Sequence, residues 1–324
     1  MLHDSVWSMA CHRPALPAPE TGSMIKSDPS ERDPSPSAGW RALDVARHRG
    51  GASVAARDDI AEEWPVALVY NGISHAVMMT TPRDLEAFAA GFSLSEGIIT
   101  DVADIRDIDT TFYEDSAEIR IDILQSAFVK LKEKRRAMTG RTGCGICGVE
   151  SLDLLDLDPE PIDACRPRHH GHAANAAAPA EAAPIADMVT DAAIQCAAAA
   201  LRAHQHLMHR TGGVHAAAWC SPEGTLLAVF EDVGRHNAMD KLIGRLALDR
   251  VDFGSGFVFL SSRGSYELVR KAARMRIPML ATISAPTTLA VRIARQAGVR
   301  LASFCRDDGF VDYTTVAGVT LARD

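Results

Sequence analysis

The sequence predicts an α/β protein, and three observations carry that reading. From about residue 185 onward, segments with helical spacing alternate with short runs rich in β-branched and aromatic residues. The first half shows a strand–turn–strand signal followed by an amphipathic helix, and a stretch rich in alanine, proline and histidine separates the halves. Alternation of strand and helix builds a mixed, mostly parallel sheet with helices on both faces. The expected division is a disordered tail over 1–40, a smaller N-terminal α/β subdomain over 41–158, a flexible linker over 159–184 and the main α/β domain over 185–324.

Residues 1–40 are rich in Pro, Ser, His and Asp without apolar periodicity, a composition that buries too little surface to order a chain. Order is expected to begin near Pro65, where Pro65–Tyr70 reads as a strand. Asn71-Gly72 suits a two-residue hairpin turn, because both residues tolerate positive φ, and a second strand follows through Val77-Met78-Met79. Thr81 then reads as a helix N-cap, with Pro82 in the first turn and Asp84 completing a capping box. Leu85, Phe88, Ala89 and Phe92 recur on one helical face before Gly97, and Ile119, Ile121 and Ile123 alternate with polar residues in a strand over 117–124.

In the second half a single helix is expected over 185–210, stopped by Gly212-Gly213. Strands over 215–219 and 225–231 are joined by the turn Ser221-Pro222-Glu223-Gly224. Helices over 237–248, 266–275 and 287–296 then alternate with strands over 256–261, 279–284 and 300–304. In open sheets of this kind ligands bind beyond the carboxyl ends of the strands. Those ends carry Ser261-Ser262-Arg263-Gly264-Ser265, Ser284-Ala285-Pro286-Thr287-Thr288 and Cys305-Arg306-Asp307-Asp308-Gly309. Hydroxyls, cations and free helix-start N–H groups are what hold phosphates, although each loop alone is also an ordinary cap. Glu231-Asp232-Val233-Gly234-Arg235-His236-Asn237 admits two readings: Arg235 and His236 meet an anionic ligand, or Asp232 pairs with Arg235 while Asn237 caps the helix.

The residues richest in chemistry are Gly143-Cys144-Gly145-Ile146-Cys147-Gly148-Val149, shortly after the basic run Lys130, Lys132, Lys134, Arg135, Arg136. Nearby cations favour thiolate over thiol, and interleaved glycines let backbone N–H groups open toward a ligand. A Cys-x-x-Cys pair is also half of a structural zinc site. The other cysteines, Cys11, Cys165, Cys196, Cys220 and Cys305, are scattered singly, so a reactive dithiol is the preferred reading and no metal site is assigned. The histidines His169, His170 and His172 sit in the linker, which gives them no rigid frame.

A net charge of −8 over 324 residues argues against general binding to nucleic acid or to an anionic membrane, so any basic site is local. No run approaches the roughly 18–20 apolar residues of a spanning helix, and the first thirty residues lack the apolar core of a signal peptide. With dispersed cysteines odd in number, the expected setting is cytoplasmic, with mostly reduced thiols.

In order along the chain, Cys144-Gly-Ile-Cys147-Gly, Thr211-Gly-Gly-Val-His215-Ala-Ala, Glu231–Asn237, Ser261-Ser-Arg263, Ser265-Tyr-Glu267, Ile283-Ser-Ala-Pro286-Thr and Phe304-Cys-Arg306-Asp307 resemble the motifs of the FdhD family of formate dehydrogenase accessory sulfurtransferases. The resemblance runs from about Trp64 to the C-terminus. It implies a cytidine deaminase-like three-layer main domain. It also implies a sulfur carrier that takes persulfide sulfur from a cysteine desulfurase and transfers it to the bis(molybdopterin guanine dinucleotide) molybdenum cofactor, before that cofactor enters formate dehydrogenase. Cys144 is then the persulfide carrier, with Cys147 the second catalytic candidate, and Phe304, Cys305, Arg306, Asp307, Asp308 and Gly309 form the cofactor-binding stretch. The cofactor is a bound substrate, and no permanently bound group is implied. Arg306 and the 284–288 loop are candidate pterin or phosphate contacts, whereas an isolated Cys305 also fits a packing role. Deaminase chemistry is disfavoured, because His215 is followed by Ala216 and Ala217 where a proton-shuttling carboxylate belongs. Two alternatives stay open: a non-catalytic cofactor chaperone, and a dithiol redox or zinc protein. A homodimer is compatible with a sheet domain whose faces are covered.

Overall fold

A computed structural model describes residues 38–136, 159, 161–162, 185–306, 308–316 and 319–320. All lie within one compact unit, Pro36–Asp324. Residues 1–37, most of the 159–184 stretch and the Cys-x-x-Cys segment lie outside the described residues.

Order begins well before Pro65, against expectation. β1 (Trp40–Arg49) and β2 (Ala52–Ala61) form an antiparallel ribbon turning at Gly50-Gly51, both at positive φ. The ribbon is exposed along most of both strands, with no period-two burial to betray it in sequence. Its anchors are distant in the chain: the Arg210 guanidinium lies 3.6 Å over the Trp40 ring and pairs with Asp59 at 2.8 Å.

β3 (Trp64–Tyr70), β4 (Ile73–Thr80), β5 (Ile105–Phe112) and β6 (Ala117–Ile123) make a sheet in the order β4-β3-β6-β5. Asn71 and Gly72 both take positive φ, 45° and 77°, as the β3–β4 hairpin turn requires. Val66, Leu68, Tyr70, Ile119, Ile121 and Ile123 share a core with Phe88 and Phe92 of α1 (Leu85–Ser95). Thr81 does not cap α1, nor does Asp84 cap it through its side chain. Thr81 is drawn instead into a buried network described below. α2 (Gln125–Arg136), which carries the basic run, and β5 were not foreseen, since neither has a clean apolar period.

The expected helix over 185–210 is broken into α3 (Ile185–Met188), α4 (Asp191–His204) and α5 (His206–Thr211). Thr190 caps α4 by accepting from Ala193 N–H, and the Glu231 carboxylate starts α5 by accepting from the N–H groups of Leu207 and Met208, both at 2.8 Å. Then follow β7 (His215–Cys220), β8 (Leu226–Asp232), α6 (Arg235–Leu248), β9 (Phe257–Leu260), α7 (Tyr266–Arg274), β10 (Met279–Thr282), α8 (Thr288–Ala297), β11 (Arg300–Arg306) and β12 (Gly309–Asp312). They build a six-stranded sheet in the order β12-β11-β10-β9-β7-β8. The sheet is mixed, as expected, but parallel pairing is confined to β9, β10 and β11. Short connections turn β8 back on β7 and β12 back on β11, and both edges are therefore antiparallel. Phe257 and Phe259 of β9 share a cluster with Ile194 and Leu201 of α4, whereas Val258 and Leu260 share the other with α6, α7 and α8. The sheet thus lies between two helical layers.

α1 crosses α6 at a glycine pair. A Cβ on Gly91 would stand 1.8 Å from the Asp240 carbonyl oxygen, and one on Gly244 1.8 Å from that of Ala87. Beside the crossing, buried Lys271 donates from Nζ to Asp240 Oδ1, Glu96 Oε1 and Ser95 Oγ, each at 2.8 Å. Among the described residues no helix is long and apolar enough to cross a membrane.

Candidate functional site

The register of the six-stranded sheet gathers the chemistry-bearing loops at one edge. β8, β9, β10 and β11 end there, and β7 starts there, with His215 opposite Asp232 and Ala217 opposite Leu260. The loops touch one another. Gly264 N–H donates to Ala285 O at 3.2 Å, Thr287 N–H to Gly264 O at 2.9 Å, and Phe304 N–H to Ser284 O at 3.3 Å. Ala216 N–H donates to Ser261 Oγ at 2.8 Å. The three strand-end loops expected from sequence are therefore adjacent.

In the β10–β11 half a cavity of about 510 Å³ is lined by Pro286, Thr287, Arg292, Arg295, Phe304 and Tyr313, among others. Phe304 is exposed and takes φ 56°, a sparsely populated conformation for an aromatic residue, which recurs at ligand-handling positions. Arg306 and Asp308 are exposed, and Gly309 takes φ 148°, which favours glycine. Cys305 faces the other way: it is buried against the α4-side cluster, and burial pushes its thiol up to about 11. Its side chain packs the core, so it offers the edge only backbone groups. Asp307, Cys144 and Cys147 lie outside the described residues.

In the β7–β8 half the reading of Glu231–Asn237 as an Asp232–Arg235 pair with Asn237 as helix cap does not hold. Asp232 is fully buried and pairs with Lys241 Nζ at 2.7 Å, not with Arg235. Its Oδ2 also accepts from Thr80 Oγ1 and from Thr81 N–H, and its Oδ1 from Gly234 N–H and Asn237 Nδ2. Asn237 does not cap α6, whose N-cap is Gly234; its amide donates to Met79 O at 2.7 Å. Thr81 completes the network, its hydroxyl accepting from Val233 N–H and its carbonyl from Lys241. A buried carboxylate requires a cation and hydrogen bonds, and this set supplies both while stitching the end of β4 to the start of α6. Sequence reasoning missed Lys241, Thr80 and Thr81. The available signal was a lysine within the apolar face formed by Ala238, Leu242 and Ile243.

Arg235, His236 and His215 meet at the same corner. His215 is held below its ordinary value by burial and by the charges of Arg235 and His236. The imidazole of His236, with Nε2 3.8 Å from Glu267 Oε2, helps hold the Glu267 carboxyl at about 2, against the effect of burial. The site can therefore bind anions through fixed donors, beside a cavity that an aromatic ring overlooks.

Residues 61–319 match the FdhD/NarQ family. The chain is 56% identical over 278 residues to the sulfur carrier protein FdhD of Burkholderia cenocepacia, covering 85% of this chain and 94% of that protein. It is 58% identical over 276 residues to the sulfur carrier protein FdhD of Chromobacterium violaceum, covering 85% and 96%. The fold is similar to the crystal structure of a candidate formate dehydrogenase accessory protein from Desulfotalea psychrophila, with TM-score 0.58 and 22% identity over 84% of this chain and 96% of that one. With a family match across most of its length, relatives above half identity and every matched motif of the described residues at one sheet edge, the chain belongs to the FdhD/NarQ family.

Proposed function

We propose that the protein is a sulfur carrier that accepts persulfide sulfur from a cysteine desulfurase on Cys144 and delivers it to the bis(molybdopterin guanine dinucleotide) molybdenum cofactor before insertion into formate dehydrogenase. The observation that carries this reading is the 56–58% identity to proteins named as sulfur carriers, across a matched region that contains Cys144 and Cys147. In the first step the Cys144 thiolate attacks the terminal sulfur of the donor persulfide. The donor S–S bond breaks, its electron pair leaves on the donor cysteine as thiolate, and a new S–S bond forms on Cys144, with no net oxidation. In the second step the terminal sulfur passes to the cofactor. If it leaves as sulfide, attack of the Cys147 thiolate on Cys144 supplies the two electrons and ends in a Cys144–Cys147 disulfide.

The sheet edge supports this reading by offering what a long, anionic, ring-bearing substrate needs. Phe304 presents an aromatic face, Arg306 an exposed cation, and the 284–288 loop the start of α8. Binding energy from remote arms of a substrate orients its reacting centre.

The test is to incubate the purified protein with a cysteine desulfurase and L-cysteine, then measure mass and sulfane sulfur on wild type, Cys144→Ala and Cys147→Ala. A gain of one or more sulfur atoms that vanishes in Cys144→Ala is expected. No gain in wild type, with the donor shown to be functional, rejects the proposal in favour of a chaperone without sulfur chemistry.

A further inference from the structure

We infer that the β1–β2 ribbon is a docking arm, whose apolar face and basic tip receive an extended acidic segment of a partner protein. The ribbon takes no part in the strand-end edge, and all of it but Ala61 lies ahead of the family-matched residues. Three observations carry the inference. First, the ribbon is amphipathic. Directly opposed residues of an antiparallel pair share a face, so the register places Leu43, Val45, Val54, Ala56 and Ile60 together on one side. Leu43, Val54 and Ile60 are 46%, 62% and 40% exposed. A two-stranded ribbon alone is at best marginal in water, and the contacts of Trp40, Arg41 and Asp59 hold only the end away from the turn. Apolar side chains grouped on an arm without a core of its own fit a surface met outside the chain.

Second, the ribbon has a free edge. Among the described residues no third strand pairs with it, so β1 keeps a row of main-chain N–H and C=O groups without a strand partner. Charged side chains guard such an edge against chance pairing, and an extended peptide satisfies it by adding a strand.

Third, charge selects the partner. The base of the ribbon is neutralised, with Arg41 paired to Glu62 and Asp115, and Asp59 to Arg210. Residues 45–57 hold Arg47, His48, Arg49 and Arg57 and no Asp or Glu, in a chain of net charge −8. Arg47 has Asp58 at 3.9 Å, while Arg49 and Arg57 have no carboxylate within ion-pair distance among the described residues. Arg47 and Arg49 lie on the same face as Leu43, Val45 and Val54. A segment alternating apolar and acidic residues complements both features, whereas a second ribbon brings like charges together and nucleic acid is repelled by the acidic body. The inference stands whether or not Cys144 carries sulfur.

The experiment follows the fluorescence anisotropy of a labelled peptide of alternating leucine and aspartate on titration with the full-length protein, beside peptides alternating leucine with lysine and serine with aspartate. The leucine–aspartate peptide is expected to bind, the serine–aspartate peptide to bind severalfold more weakly, and the leucine–lysine peptide not to bind. Arg49→Glu is expected to weaken binding about tenfold or more, and Leu43→Thr and Val54→Thr severalfold; Arg106→Glu, the same charge change at an exposed position of β5, is expected to leave it unchanged. Hydrogen exchange over residues 40–61 verifies that each variant keeps its ribbon, and bound peptide is expected to slow exchange there. Failure of wild type to bind the leucine–aspartate peptide overturns the inference, as does equal affinity in wild type and Arg49→Glu. Tighter binding of a single-stranded oligonucleotide at the ribbon overturns it in favour of nucleic acid. Protection of the ribbon that grows with protein concentration alone overturns it in favour of a second copy.

Discussion

Asp232 and Lys241, both fully buried and 2.7 Å apart, are the pair on which the corner of the site rests. Removing one partner of such a pair leaves the other charge without compensation, so Lys241→Met is expected to cost about 3–5 kcal/mol in urea unfolding. A loss below about 1 kcal/mol contradicts the assigned pairing. Glu267 gives a prediction in pH. Its folded pKa, about 2, lies below the ordinary carboxylate value, so its stabilising contribution is complete above about pH 4.5 and is lost as pH falls toward 2. The stability difference between wild type and Glu267→Gln should therefore shrink across that window; a difference independent of pH there argues against the His236–Glu267 contact. At this scale the sequence displayed Asp232, Arg235, His236 and Asn237 as a polar cluster but not their partners. Asp232 chooses Lys241 because helix α6 carries that amine back under the strand end, and it reaches Thr80 and Thr81 across more than 150 residues of chain.

Helix α1 can approach α6 only because Gly91 and Gly244 lack side chains at the crossing. Gly→Ala in a helix interior ordinarily stabilises by up to about 1 kcal/mol. Here the sign reverses: Gly91→Ala or Gly244→Ala is expected to destabilise by at least about 2 kcal/mol, since the added methyl meets backbone that must move away. Neutral or increased stability in urea unfolding would contradict the close crossing. The β1–β2 ribbon behaves differently. Because polar and cation–π contacts at its base anchor it, Arg210→Ala should leave global stability within about 1 kcal/mol while speeding hydrogen exchange across residues 40–61. Unchanged exchange would show that the ribbon does not depend on this anchor. Elements with a period were legible in sequence, as β3, α1 and the units from β9 to β11 show. The ribbon and the break between α4 and α5 were not, because charge contacts or a distant carboxylate define them.

Across the whole molecule, the buried network at Asp232 and the glycine crossing join the four-stranded sheet to the six-stranded one. The strand-end loops thereby acquire support from both halves of the chain. The edge that carries them was legible, because strand–helix alternation fixes where carboxyl ends fall. Phe304 and Arg306 are exposed while Cys305 packs inward because β11 bulges between Ser303 and Arg306, with Phe304 at φ 56°, which returns Cys305 to the cluster that holds Ala302. The burial asymmetry of its two neighbouring layers was not visible in sequence.

The central claim is that sulfur passes through Cys144, and activation of formate dehydrogenase in extracts lacking the endogenous protein tests it most directly. Wild type should restore activity, and Cys144→Ala should abolish it while still binding the cofactor. Full activation by Cys144→Ala would contradict the claim and leave the protein an escort of the cofactor.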